Sequence, residues 1–151
     1  DMLKALGGTP VAMAMGDVYT ALQTGIIDGT ENNETALTTG MHGEICKFYS
    51  VDQHTMIPDV LVIATDTWEK LSEEDRQLLI DTAKESTENH IEKWEQAVAE
   101  AVETATNDMG VTFIEDVDKE AFRSATADMI ESYKSQYPKV GDVLEIINSV
   151  E

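Results

Sequence analysis

Apolar positions along this chain change their period several times, and each change marks an element. From Asp1 to Leu6, Met2, Leu3 and Leu6 share a helical face, and Gly7-Gly8 ends it, the pattern of a helix tail. Thr9 to Met13 is a short apolar run opened by Pro10, which suits the start of a strand. Gly16 to Gln23 then reads as a short helix with Val18, Ala21 and Leu22 on its apolar face. Asp17 can cap that helix by accepting orphan amide protons, and Gly25 stops it. Ile26 and Ile27 are expected to turn back into the interior. Asp28-Gly29 makes a turn and leaves Glu31-Asn32-Asn33 at a polar tip.

The next stretch is broken into shorter pieces. Glu34 to Thr39 and Met41 to Lys47 read as helical segments interrupted at Gly40. Phe48 to His54 looks extended and carries two aromatics, Phe48 and Tyr49, before Pro58 punctuates the chain. Val60 to Ala64 is a continuous, largely β-branched apolar run, the pattern of a strand buried on both faces. Thr65 or Asp66 starts a helical turn containing Trp68 and Leu71.

The longest element follows. Ser72 can cap it, with Asp75 three residues on completing an approximate capping box. From there to Met109 the chain has neither proline nor glycine, and Leu79, Ala83, His90, Ile91, Trp94, Val98, Ala101, Val102, Ala105 and Met109 keep helical spacing. Such a helix would be ~55 Å long, which outruns a compact domain of this size. It must reach another domain, dimerise or bend, and alanines and polar residues interrupt the heptads a coiled coil requires. Val111 to Ile114 reads as a strand. Asp116 or Asp118 caps a helix with Phe122, Ala125, Met129, Ile130 and Tyr133 inward, and a last short helix carries Val143, Leu144, Ile146 and Ile147. Strands alternating with helices give the α/β class.

Composition narrows the function classes. The chain has 151 residues, of which 42% are hydrophobic and 26% charged, the profile of a folded protein with its own core. Its net charge is −20, from 30 acids against 10 bases, which argues against nucleic acid and anionic membranes as partners. The acids on the long helix, such as Glu73, Glu85, Glu88, Glu92 and Glu95, read as a solvated face. No run approaches the ~20 apolar residues of a membrane span. No charged leader or apolar signal region stands at Asp1, so any targeting peptide is expected outside this sequence. The single Cys46 excludes an internal disulfide and any multi-cysteine metal site.

Other chemistries lack their partners. His42-Gly43-Glu44 matches the H-x-E of zinc deaminases, but the paired cysteines that hold their metal are missing. Asp116-x-Asp118-x-Glu120 has neither the glycine nor the final glutamate of a calcium loop, so capping accounts for it better. No G-x-S-x-G elbow frames a nucleophile, and no cofactor or metal is expected.

One stretch carries far more information than the rest. Ala5-Leu6-Gly7-Gly8, Pro10-Val11, Met13, Asp17-Val18-Tyr19-Thr20-Ala21-Leu22-Gln23, Gly25 and Asp28-Gly29-x-Glu31-Asn32 follow one another in fixed register. This run resembles the signature of the solute receptors of tripartite ATP-independent periplasmic (TRAP) transporters, the DctP family. Ala12 stands where a second proline is common, and Asp17 stands where glutamate is usual.

The resemblance implies the C-terminal half of a two-lobe periplasmic-binding-protein fold with a long lobe-spanning helix. It implies a periplasmic receptor, not an enzyme. Such a receptor captures an organic acid anion and hands it to membrane permease subunits. Residues 1–58 and 99–151 would belong to the C-terminal lobe, and 59–98 would cross into the N-terminal lobe and back. Ile57-Pro58 and residues 97–100 would be the hinge passages. Asn32 matches an asparagine whose NH2 donates to the ligand carboxylate, a role in which an amide adds hydrogen bonds without charge. Met15 matches a position that in relatives often faces the ligand, although a methionine is somewhat more often a core residue. His54 matches a histidine or polar residue that ends the strand leading to the cleft in similar proteins, a position where a structural role is as common. Asn33, where relatives often carry proline, is expected to be structural.

The family's ligand-binding arginine would lie upstream of Asp1, so this chain alone should bind an anion weakly or not at all. Val60, Val62, Trp68 and Leu79 would lack their usual cover and need the missing N-terminal half or a second copy of the chain. From a different class, an acidic helical interaction module dimerising through the long helix fits the same composition.

Overall fold

A computed structural model describes residues 1–150. In chain order the helices are α1 (Met2–Ala5), α2 (Met15–Gln23), α3 (Thr35–Thr39), α4 (Thr65–Trp68), α5 (Glu73–Asn107), α6 (Lys119–Gln136) and α7 (Pro138–Asn148). A 3-10 turn occupies His42–Glu44, and the strands β1 (Phe48–Ser50) and β2 (Thr112–Ile114) pair with each other. Thr112 N–H donates to Lys47 O at one end and Val51 N–H to Ile114 O at the other, both at 2.9 Å, so the pair runs parallel. No helix among the described residues is long and apolar enough to cross a membrane.

The chain forms two compact units. The first comprises Asp1–Met15, Ser50–His54 and Ile114–Glu151, and the second Gly16–Tyr49 and Thr55–Phe113. The backbone therefore passes from one to the other inside both strands.

The second unit holds every buried residue among those described. Leu37, Ala105 and Val111 are its centre, with Tyr49, Met109 and Phe113 packed against them. Small residues on α5 make this possible: Ala101 and Ala105 are buried, and α3 packs on the C-terminal part of that helix. Gly43 is buried in close packing, where a Cβ would stand 2.8 Å from Met109 Sδ and 3.2 Å from Leu37 O. The start of α5 is fixed by Ser72, whose Oγ accepts from Asp75 N–H at 3.1 Å. Only half of the expected capping box forms, because the Asp75 carboxylate takes the Ser72 hydroxyl (2.7 Å).

In the first unit α6 packs against α1 and α7. Asp118 caps α6 by accepting from Ala121 N–H at 3.0 Å, and Tyr133 Oη donates to Asp1 Oδ2 at 2.7 Å. Val143, Ile146, Ile147 and Val150, a stripe at helical spacing on and just beyond α7, are all exposed.

Several sequence expectations give way to long-range physics. Val60 to Ala64 forms no strand, with Val60 71% and Val62 79% exposed. A strand needs neighbours for its amides and carbonyls, and the described residues supply none here. Residues 9–13 form no strand for the same reason. Ile26 is 70% exposed, and only Ile27 turns inward. Asp17 lies inside the first turn of α2, which begins at Met15. Trp68 is half-buried because the Arg76 guanidinium lies 5.5 Å above its ring and Nε donates to Trp68 O.

Candidate functional site

The polar tip of residues 28–33 is built by the way α2 ends. Gly25 adopts φ +70°, a conformation that disfavours a Cβ. Gly25 N–H donates to Leu22 O (3.1 Å) and Ile26 N–H to Ala21 O (2.9 Å), the paired bonds of a Schellman cap. Just beyond the cap, Ile27 is half-buried and anchors the chain. At the far end, Asn33 Oδ1 accepts from both Thr35 N–H (3.1 Å) and Thr35 Oγ1 (2.6 Å), which starts α3.

Between these anchors stands Asn32. Its Oδ1 accepts from Asn33 N–H at 2.9 Å, and the NH2 is the donating end of the amide. Its backbone carbonyl accepts from Tyr49 Oη at 2.9 Å. The Tyr49 ring packs on Phe113 with centroids 5.1 Å apart, tilted 46°.

Asn32 lies on the wall of an open concavity of about 350 Å³ within the second unit, together with Ile27, Asp28, His42, Lys47 and Tyr49. Among the described residues Lys47 is the one lysine or arginine on this wall, and its ammonium donates to Gly43 O (2.8 Å) and Met109 O (2.7 Å). It staples the 3-10 turn to the segment after α5. Burial lowers the pKa of His42, so this imidazole is neutral near pH 7 and adds no positive charge. Burial raises the pKa of the Cys46 thiol, with Lys47 opposing, which keeps the sulfur protonated. Tyr19 Oη donates to Glu44 Oε2 at 2.7 Å; that hydrogen bond, then burial and the carboxylate charge, raise the tyrosine pKa. Among the described residues, the wall thus offers a carboxylate an amide donor but no guanidinium.

His54 belongs to the first unit. Its Nδ1 lies 2.8 Å from Asp52 Oδ1, and its side chain is 19% exposed. It lines a second concavity, of about 320 Å³, with Asp52, Gln53, Lys119, Arg123 and Thr126 over an apolar floor including Phe122. Gln53 takes φ +52° and its Oε1 accepts from Lys119 Nζ at 2.5 Å. Met15, the first residue of α2, is also in the first unit and half exposed, and lines neither concavity. Asn32 thus lies in the second unit, and Met15 and His54 in the first. Neither the Tyr49–Asn32 bond nor the Lys47–Met109 bond has a signal in the sequence, since they join residues 17 and 62 positions apart in the chain.

Comparison with known proteins places this architecture. Residues 1–136 match the DctP family, bacterial extracellular solute-binding protein family 7. Protein YiiZ of Salmonella typhimurium, itself uncharacterized, is 40% identical over 134 residues, 89% of this chain and 41% of that protein. A TRAP periplasmic solute-binding protein from Anaerococcus prevotii, solved with bound D-glucuronate, is 40% identical with a TM-score of 0.90 over 97% of this chain and 47% of its own. Another from Roseobacter denitrificans, with bound β-D-glucuronate, is 34% identical with a TM-score of 0.93 over 99% of this chain and 49% of its own. The chain spans about half the length of the relatives it matches. It belongs to the DctP family of TRAP solute-binding proteins.

Proposed function

We propose that this chain is the C-terminal half of an extracytoplasmic TRAP receptor that captures a carboxylate sugar, a hexuronate first among the candidates, for uptake by a membrane permease. The observation that carries this is the tip itself. Asn32 is held on a concave wall by a fold that matches glucuronate-bound receptors at TM-scores of 0.90 and 0.93. The protein performs no covalent chemistry. Ligand contacts both lobes only when they close, so binding shifts the population toward the closed state by its differential affinity. Asn32 supplies the neutral donor to the carboxylate, with Met15 and His54 as further ligand contacts. The charge partner, an arginine, comes from the upstream half.

Residues 1–58 and 99–151 form the C-terminal lobe, and 59–98 cross to the N-terminal lobe. The exposed run Val60–Ile63 supports this division, as do the uncovered Leu78, Leu79, Ile91 and Trp94 on the first part of α5. Burying one such side chain is worth ~1.5–3 kcal/mol, so surfaces like these are built to be covered.

Calorimetry on the receptor that contains this chain tests the reading, with D-glucuronate, D-galacturonate and a neutral hexose as titrants. Binding of a hexuronate and no binding of the hexose is the expected result. Failure of every organic acid, together with self-association through α5, would favour an acidic interaction module.

A further inference from the structure

We propose that Tyr49 is a positioning residue that sets the orientation of the Asn32 amide, and so the receptor's affinity for carboxylate. This rests on the reading of Asn32 as the ligand's amide partner.

The carbonyl of Asn32 and the N–H of Asn33 belong to the same rigid, trans peptide plane and point in opposite directions. Both ends are held. Tyr49 Oη donates to the carbonyl at 2.9 Å, and the N–H donates to the Asn32 side-chain Oδ1 at 2.9 Å. A rotation of the plane that breaks the first bond therefore carries the Asn32 amide with it. The orientation of the NH2 is coupled through a single plane to a hydroxyl 17 residues away.

The hydroxyl is itself well placed to act as a reference point. Tyr49 is half-buried in β1 and packed on Phe113, against the cluster of Leu37, Ala105 and Val111. Just before β1, the Lys47 carbonyl receives Thr112 N–H, and the Lys47 ammonium ties the segment to Gly43 and Met109. The tip, by contrast, is exposed at Asn32 and Asn33. Ordering such a tip in advance removes a cost that ligand binding would otherwise bear. Phenylalanine at 49 would keep the ring on Phe113 and remove the hydrogen bond to the Asn32 carbonyl.

The test is a double-mutant cycle in the receptor that contains this chain, with D-glucuronate as the probe and calorimetry and thermal melting as readouts. Asn32→Ala, Tyr49→Phe and the double variant are compared with the parent. Tyr49→Phe is expected to weaken binding about three- to tenfold while the melting midpoint of the free protein stays within a few degrees. The double variant should bind no more weakly than Asn32→Ala alone, because the hydroxyl acts only through Asn32. Two results overturn the proposal: unchanged affinity in Tyr49→Phe, or fully additive losses in the double variant. A receptor whose affinity is indifferent to Asn32→Ala refutes the functional reading and this proposal with it. Loss in Asn32→Ala without loss in Tyr49→Phe refutes the positioning role only.

Discussion

Lys47 is the one lysine or arginine among the described residues on the wall beside Asn32, so its role separates two accounts of the site. A ligand cation would present its ammonium to a carboxylate. The structure instead commits it to two backbone carbonyls, Gly43 O at 2.8 Å and Met109 O at 2.7 Å, the second 62 residues away. Lys47→Met keeps the length of the aliphatic stem and removes both bonds. Hydrogen bonds to charged groups contribute ~1.5–3 kcal/mol each when well buried. Here the residue is exposed and water can reach the carbonyls once the ammonium is gone, so solvent screening brings the pair below that range, to ~1–2 kcal/mol in all. In a domain of about 150–250 residues that corresponds to a fall in Tm of ~2–8 °C, and to less in the longer receptor. Urea or thermal melts of parent and variant receptor, with calorimetry against D-glucuronate alongside, give both quantities. The staple account expects lower stability and an affinity within about threefold of the parent, a difference of ~0.7 kcal/mol or less. A tenfold loss of affinity at unchanged stability would refute it and make Lys47 a ligand group.

Three other outcomes are expected. Burial holds the folded-state pKa of His42 below its ordinary value, so its contribution is complete above about pH 6.5 and is lost as pH falls toward the folded value. Urea midpoints at pH 7.5 and 5.5 should therefore differ less in His42→Gln than in the parent; equal pH dependence would contradict the burial argument. Gly25→Ala should cost ~1 kcal/mol, since the added Cβ meets nothing within 4 Å and the penalty is the left-handed backbone alone. A melt showing no loss would mean that α2 can end differently. The isolated chain should scatter light as more than one 16.6 kDa unit or bind an exposed-hydrophobe dye, because Val60, Leu61 and Val62 are uncovered. A clean monomer without dye binding would count against the need for a covering half.

Features specified within a few residues are legible in the amino-acid sequence itself. Ser72 and Asp118 start their helices through hydrogen bonds to amides three residues on, and Gly25 ends α2 through bonds spanning three and five residues. The family is legible for the same reason, because its signature lies in one continuous run from Ala5 to Asn32. Period alone identifies α5 and α6. Tertiary structure decides the rest. The apolar run at 60–64 has the composition of a buried strand, yet pairing depends on a neighbouring backbone that the described residues do not provide. Asn32 is recognisable as a residue, whereas its orientation comes from a hydroxyl 17 residues distant and a peptide plane shared with Asn33. Local sequence fixes caps, turns and helical faces because the interacting groups are near neighbours along the chain. Strand pairing, the Lys47 staple and the setting of the Asn32 amide join groups that only folding brings together.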